Sequence, residues 1–571
     1  MATQLPHALA HALTNWRRVF GLQGLVRAFA LLALASATAN ALGQPAPIQP
    51  VPTQPAPTQP ARPLPLRDEA NELRGTWITT TANDHIASPA KTASTMRRLR
   101  DVGLNTVYVE VWKNGYTQFP SKVLQRTIGV DRRPALTKQD PSDDTSKLKS
   151  PGRDLLQETL TEAHRNGLNY VAWFEYGFMA AHKDTDNHLR RMKKDWLSKD
   201  IKGNEVAPNG FVWMNPLHPE PRRFLLELVL EAIDLYDLDG VQLDDRIVWP
   251  YVTMGYDDYT RAIYAKEHSG RQPPEDHKDP AWIRWRADKV NEYARQFVRE
   301  IRERRPGVLI SLSPAVYPWV YENYCLEWPK WAAPGFAMDP RGLRGAPGAL
   351  PELFDRARQA LHVGPALGST LDRGPAGWDE FIPQCYRFSY DAFEKTWLEQ
   401  VKWMNELGDS RVHDMAAGIR VVGEGADSTW DDLRRSIELV RSTGGLGHVH
   451  WFSRGVLDVY EKELTAFYGV PARNPHYPPQ WRTPAIVLSP KPAHEQPANA
   501  LTTIWSVGEL LPGATYRVIV RRGQADDWEV WPVKIRIDPN VDPVAQAFVT
   551  PRDVTTVEVM LDRRVAIEVG E

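Results

Sequence analysis

The chain has 571 residues, 42% of them hydrophobic, with 69 Lys+Arg against 71 Asp+Glu and only 2 Cys. The apolar fraction excludes a wholly disordered chain, the cysteine count excludes a disulfide-stapled scaffold, and the balanced charge gives no support to nucleic acid as a partner. The 21 Trp exceed what packing asks for; an indole has a flat apolar face and one N–H donor, which suits a sugar ring as well as a core.

In chain order, residues 1–43 read as an export signal. Arg17, Arg18 and Arg27 precede the apolar run AFALLALASATANA, and Ala39-Asn40-Ala41 has the small-x-small form of a cleavage site. The run is shorter than the ~20 residues of a spanning helix. Cleavage without stable membrane insertion, and a secreted or periplasmic location, are therefore expected. Residues 44–68 include PAPIQPVPTQPAPTQPARPLPL, an extended polyproline-like spacer that cannot build a core. Export would permit a disulfide between Cys325 and Cys385; two free buried thiols fit equally well.

From 69 to 477, short apolar runs alternate with amphipathic helical patterns. Strands are predicted at 74–80, 106–112, 169–177, 240–245, 308–314, 381–387, 415–420 and 447–453. Intervening segments such as RDLLQETLTEAHRNG and WDDLRRSIELVRSTG end in Gly as helices do. Eight strand–helix units predict a (β/α)8 barrel, with long excursions at 113–152, 246–290 and 315–380 walling its catalytic face. From 478 to 571 the pattern becomes β-type alternation, as in ATYRVIVRR. This predicts a small all-β sandwich of the immunoglobulin or fibronectin III kind, more suited to support than to sugar binding.

Catalytic groups of such a barrel stand at the C-terminal strand ends. These ends hold Trp77, Glu110, Trp112, Trp173, Glu175, Asp244, Asp245, Tyr386, Arg420, His448, His450 and Trp451. In Gly240-Val241-Gln242-Leu243-Asp244-Asp245, alternation sends Val241 and Leu243 to the helices and Gln242 and Asp244 into the barrel. Glycoside hydrolysis needs two carboxyl groups about the scissile bond. Asp244 is the first candidate for nucleophile or base. Glu175, Asp245 and Glu110 are candidates for its partner, with Glu175 expected in an aromatic surround that would keep it protonated. Trp77, Glu110, Trp112, Trp173, Tyr386, His450 and Trp451 are the expected sugar contacts. The His448/His450 pair either bonds sugar hydroxyls or fills the barrel. No HExxH, GxSxG or GK[ST] sequence occurs, and no metal or cofactor is expected.

Several ordered segments carry a family resemblance: ELRGTWITT, GLNTVYVEVW followed by FPSKVL, EAHRNGLNYVAWFEYGF, VWMNPLHPEPRRFLLELVLEAIDLYDLDGVQLDD and DEFIPQCYRFSY. Together they resemble the glycosyl-hydrolase-10-like family of bacterial secreted barrels. The resemblance implies a (β/α)8 fold and hydrolysis of a polysaccharide in the cell envelope, peptidoglycan glycan strands being a substrate of some members. The fourth strand is also similar to the α-amylase type, which implies a nucleophile at Asp244. Three places depart from the family pattern. Glu175-Tyr176-Gly177-Phe178 stands where Asn-Pro-Tyr-Arg is usual, Arg246 follows the Asp-Asp pair where an aromatic is usual, and Ser313-Pro314-Ala315-Val316 replaces Ser-Pro-Phe-Gly. The expectation is a secreted glycoside hydrolase of an envelope or exported polysaccharide. The alternatives are a non-catalytic glycan-binding barrel and an envelope scaffold whose β domain does the work.

Overall fold

The computed structural model describes residues 71–136, 152–333, 335–337, 377–477, 484–497, 501–522 and 528–562. The expected export signal and proline-rich spacer lie outside the described residues. All eight expected barrel strands are present: β1 (Leu73–Ile78), β2 (Thr106–Glu110), β3 (Asn169–Phe174), β4 (Gly240–Asp244), β5 (Leu309–Ser313), β6 (Glu380–Phe381), β7 (Ala416–Arg420) and β8 (Gly447–Trp451). They form one parallel sheet running from β6 through β5, β4, β3, β2, β1 and β8 to β7. Bridges Phe381↔Met415 and Gln384↔Gly418 bring its two edges together, so the barrel is nearly closed. The strand predicted at 381–387 is cut short because Pro314 and Pro383 have no N–H for the ladder. Its direction still continues through Ile382 N–H to Leu312 O at 2.7 Å and Gln384 N–H to Pro314 O at 2.9 Å.

The helices return between strands, and their starts are set by side chains that accept otherwise unmatched N–H groups. Ser88, Asp154, Asp279, Ser389 and Thr429 cap the helices Pro89–Val102, Leu155–Arg165, Pro280–Arg304, Tyr390–Leu407 and Trp430–Ser442. Inside the barrel, alternate residues meet across the axis. Trp77 Nε1 donates to Gln242 Oε1 at 2.8 Å, and Gln242 Nε2 donates to Ser311 Oγ at 2.9 Å. Gly418 makes room for this layer, since a Cβ there would lie 3.2 Å from the Trp77 ring. No helix among the described residues is long and apolar enough to cross a membrane. Cys325 and Cys385 are free, buried thiols.

Beyond the barrel, the chain builds an all-β unit with its own core around Trp505, Val518, Val520, Ile537 and Val557. Strands Ile486–Val487, Thr515–Arg522, Trp528–Arg536 and Val554–Leu561 make one antiparallel sheet, and Thr502–Ser506 pairs with Ala547–Pro551 in a second. This unit docks on the face of the barrel where the strands begin. Arg165, ending the helix before β3, pairs with Glu558 at 2.6 and 2.8 Å. Arg517 donates to His164 Nδ1 at 2.6 Å and lies 3.5 Å from Asp237. Asp239 opens β4 and accepts from Tyr170 N–H at 2.7 Å and pairs with His164 at 2.9 Å. The β unit therefore stands under the barrel, on the side away from the carboxyl ends of the strands.

Candidate active site

At the carboxyl ends of β2, β3 and β4, four carboxyl groups and two cations form one network. Glu110, the last residue of β2, is fully buried. It accepts from Thr80 Oγ1 and pairs with Lys113 Nζ at 2.6 Å. Lys113 also reaches Glu175 Oε2, just past β3, at 2.9 Å. Arg246 pairs with Asp244 Oδ2, lies 3.2 Å from Asp245 Oδ1, donates to Glu175 O at 3.1 Å and stands 4.0 Å from Glu175 Oε1. Gln384, from the chain following β6, donates to Asp244 Oδ1 at 2.5 Å, and the Asp245 N–H donates to the same oxygen at 2.9 Å. Asp244 is on the interior face of β4, as alternation requires. Its side chain is 4% exposed, whereas that of Asp245 is 26% exposed.

Electrostatics separate these groups from ordinary surface acids. Burial pushes the Asp244 carboxyl well up; Arg246 opposes, and the charges of Asp245 and Glu175 add to the rise. Asp245 is raised by the same burial, opposed by Arg246 and reinforced by Glu175. Two carboxyl groups sharing one guanidinium titrate as a pair, so a proton is retained on the pair above the usual range. Glu175 has cations on both oxygens, Lys113 at 2.9 Å and Arg246 at 4.0 Å, in place of the wholly aromatic surround expected for it.

Aromatic rings floor the mouth. Trp77 contacts Trp173, Tyr386 and Trp451 at centroid distances of 6.3, 6.3 and 5.9 Å. Tyr386 and Trp451 are half-buried, 5.4 Å apart, and present surface to the mouth. Trp77 and Trp173 are buried beneath them, so they set the floor without offering a stacking face. The Tyr386 phenol is pushed well up by burial and by the charges of Asp244 and Asp245.

Besides Trp77, Trp173 and Glu110, which are buried away from a sugar, two further expected sugar contacts are corrected. Trp112 is fully buried outside the barrel, its Nε1 donating to Gly177 O at 3.1 Å and its ring 5.8 Å from Phe224 of the helix Pro219–Leu235. Trp112 has left the β2 ladder and begins a hairpin, so strand alternation no longer directs it. His450 and His448 neither reach the mouth nor fill the barrel. Val449 and Trp451 take the interior face of β8, and both imidazoles turn outward to the Tyr468 hydroxyl at 2.8 and 2.7 Å. Arg420, at the end of β7, is spent on its own loop, donating to Glu424 O and Ala426 O at 2.6 Å each.

Lys113, Arg246 and Gln384 were not among the expected site residues. Lys113 had a readable signal: Asn114-Gly115 is a hairpin dipeptide, and both residues have positive φ, 53° and 80°. That turn joins Trp112–Lys113 to Tyr116–Thr117 and leaves Lys113 over Glu110. Gln384 stands two residues before Tyr386 on the continued line of β6, its N–H on Pro314 O at 2.9 Å, so the alternation that selects Tyr386 selects it too.

A family model described as glycosyl hydrolase-like 10 matches residues 72–338. Glycosyl hydrolase YngK of Bacillus subtilis is 24% identical over 447 residues, covering 71% of this chain and 74% of the relative. Glycosyl hydrolase DigH of Escherichia coli is 24% identical over 283 residues, 44% of this chain; the match spans 57% of DigH's own length. Among solved structures, the glycoside hydrolase domain of PgaB (BpsB) from Bordetella bronchiseptica is 14% identical with a TM-score of 0.45, covering 70% of this chain and 99% of that one. The catalytic domain of a Paenibacillus polymyxa β-amylase is 10% identical with a TM-score of 0.42, covering 70% and 98%. Over residues 72–338 the chain is thus similar to the glycosyl hydrolase-like 10 family, the one its sequence motifs resemble.

Proposed function

We propose that the protein is a secreted glycoside hydrolase that cleaves glycosidic bonds in a bacterial envelope or exported polysaccharide, peptidoglycan glycan strands being one candidate. The observation that carries the reading is the Asp244–Asp245 pair under Arg246, at the mouth of the barrel beside half-buried Tyr386 and Trp451. Two acids with different surroundings supply the two roles that hydrolysis requires. Asp244 accepts donors on both oxygens, which suits the charge-bearing nucleophile or base. Asp245 is more open to the mouth, which suits the proton donor to the leaving oxygen. Glu175 and Glu110 stay between the cations and fix Lys113 and Arg246 in place. Tyr386 and Trp451 stack on the sugar unit.

The Arg and apolar pattern of residues 17–41 supports the secreted location. An immunoglobulin- or fibronectin-like topology for the C-terminal unit, acting as a support, belongs to the same proposal. The binding-only alternative draws on one observation: cations already neutralise much of the carboxylate cluster. Reducing-end release from intact and peptide-stripped peptidoglycan, α- and β-glucans and galactosaminoglycans, with Asp244→Asn alongside, separates the two. Release lost in the variant supports hydrolysis. Retention of a polymer without any release supports binding alone.

A further inference from the structure

Beside the carboxylates, three excursions of the chain bring aromatics together, those after β4 and β5 partly exposed and Trp213 after β3 buried. Tyr324 follows β5, and its ring lies 5.4 Å from Tyr251, 5.6 Å from Trp319 and 6.2 Å from Trp213. Tyr251 comes from the excursion after β4, and Trp213 from the hairpin Met179–His182/Phe211–Trp213 after β3. Backbone bonds anchor this cluster to the turn that leaves Asp244 and Asp245. Trp249 N–H donates to Tyr324 O at 3.2 Å and Val252 N–H to Asn323 O at 2.7 Å. On the other side, Phe178 N–H donates to Arg246 O at 2.9 Å, and Met214 N–H donates to Phe178 O at 2.8 Å.

Core aromatics such as Trp77 and Trp249 are fully buried, but Tyr251, Trp319 and Tyr324 are only half-buried. They keep ring surface toward solvent at a cost that packing alone does not require. A polar fringe accompanies them: Asn209 Nδ2 donates to the Tyr324 hydroxyl at 3.0 Å. The Tyr324 phenol is pushed up by burial and then by the charge of Asp245, which sets the cluster within electrostatic reach of the acid pair. Flat rings with an amide and a phenol at their edge match the alternation of C–H faces and hydroxyl rims on a pyranose.

We propose that Tyr251, Trp319 and Tyr324 form a stacking platform for a sugar unit of the polysaccharide, adjacent to the unit that is cleaved. The platform rests on the glycoside hydrolase reading only for the ligand being a carbohydrate. It extends the binding surface from the β8–β6 side of the mouth, where Trp451 and Tyr386 stand, across the acid pair to the β4–β5 side.

The test is retention of the full chain in native gels containing each polymer of the panel named above, using Asp244→Asn protein so that turnover does not erode the gel. Tyr251→Ala and Trp319→Ala, each added to Asp244→Asn, are expected to weaken retention by the retained polymer tenfold or more. Tyr251→Phe and Trp319→Phe are expected to restore it to within about threefold, which a general loss of folding would not allow. Melting curves of all variants accompany the gels. Alanine variants that melt like the parent and are retained equally would overturn the platform, as would retention by none of the polymers. The catalytic reading fails separately: if Asp244→Asn releases reducing ends at the wild-type rate while the alanine variants lose retention, the platform stands and the assignment of Asp244 falls.

Discussion

Phe178 and Arg246 are backbone neighbours across the ends of β3 and β4, with the Phe178 N–H donating to Arg246 O at 2.9 Å. Gly177 lets the segments approach: a Cβ there would lie 2.4 Å from Arg246 O, and its φ is +44°. The approach holds one guanidinium within reach of Asp244, Asp245 and Glu175 together.

Lys113 is the second organising cation. Replacing it with Met leaves the buried Glu110 and Glu175 facing each other without the charge between them. Breaking such a buried pair costs about 3–5 kcal/mol. Equilibrium denaturation is expected to show a loss of that order, with turnover falling as well because Arg246 loses the fixed position of Glu175.

Asp244 is raised by burial, which fixes a sign. The favourable neutral form is fully populated below the ordinary carboxyl range, and its contribution to stability is lost as pH rises through the raised folded value. Asp244→Asn keeps the shape and removes the charge. The variant is expected to melt about 2 °C or more above wild type near pH 8, and this gap is expected to shrink in acid. Melting curves across pH check it; a variant less stable at pH 8 would contradict the electrostatic picture.

Much of this was legible in the sequence because it depends on period. Alternation placed Gln242 and Asp244 inside the barrel, and eight apolar runs marked the eight strands. Two of the failures share a cause: where a strand ends, alternation stops directing side chains. Trp112 and Glu175 lie just beyond their ladders, so hairpin geometry and neighbouring cations decide their surroundings. His450 failed differently. It lies within β8, and reading its face required knowing that Val449 packs inward.

Glu380, inside the barrel at β6, offers a pH test away from the mouth. Tyr108 donates to its Oε1 at 2.8 Å and His476 lies 3.5 Å from Oε2. Burial raises it to about 7, against hydrogen bonds from Ser311 and Tyr108, with the charges of Asp379 and Asp414 adding to the rise. Its contribution to stability is complete below about 4.5, declines as pH rises and is lost once pH passes about 7. The loss is on the order of 3 kcal/mol. Glu380→Gln is expected to flatten that part of the stability–pH curve; an unchanged slope would show that Glu380 is already ionised.

The β unit makes its own prediction. Arg165→Ala removes the nearer of the two arginines at Glu558, leaving Arg521 at 3.5 Å, and the 2.7 Å contact to Glu162. A stability loss of about 2–4 kcal/mol is expected. Turnover per folded molecule should be retained, because the interface lies on the opposite face from Asp244. Denaturation and specific activity measured on the same preparation decide it.

The central claim is that Asp244 belongs to a hydrolytic pair, and the direct measurement is reducing-end release from the polysaccharide panel by wild type and Asp244→Asn. Release from at least one polymer is expected, with a fall of about a thousandfold or more in the variant. Release that survives the substitution, or its absence from every polymer the protein binds, would contradict it.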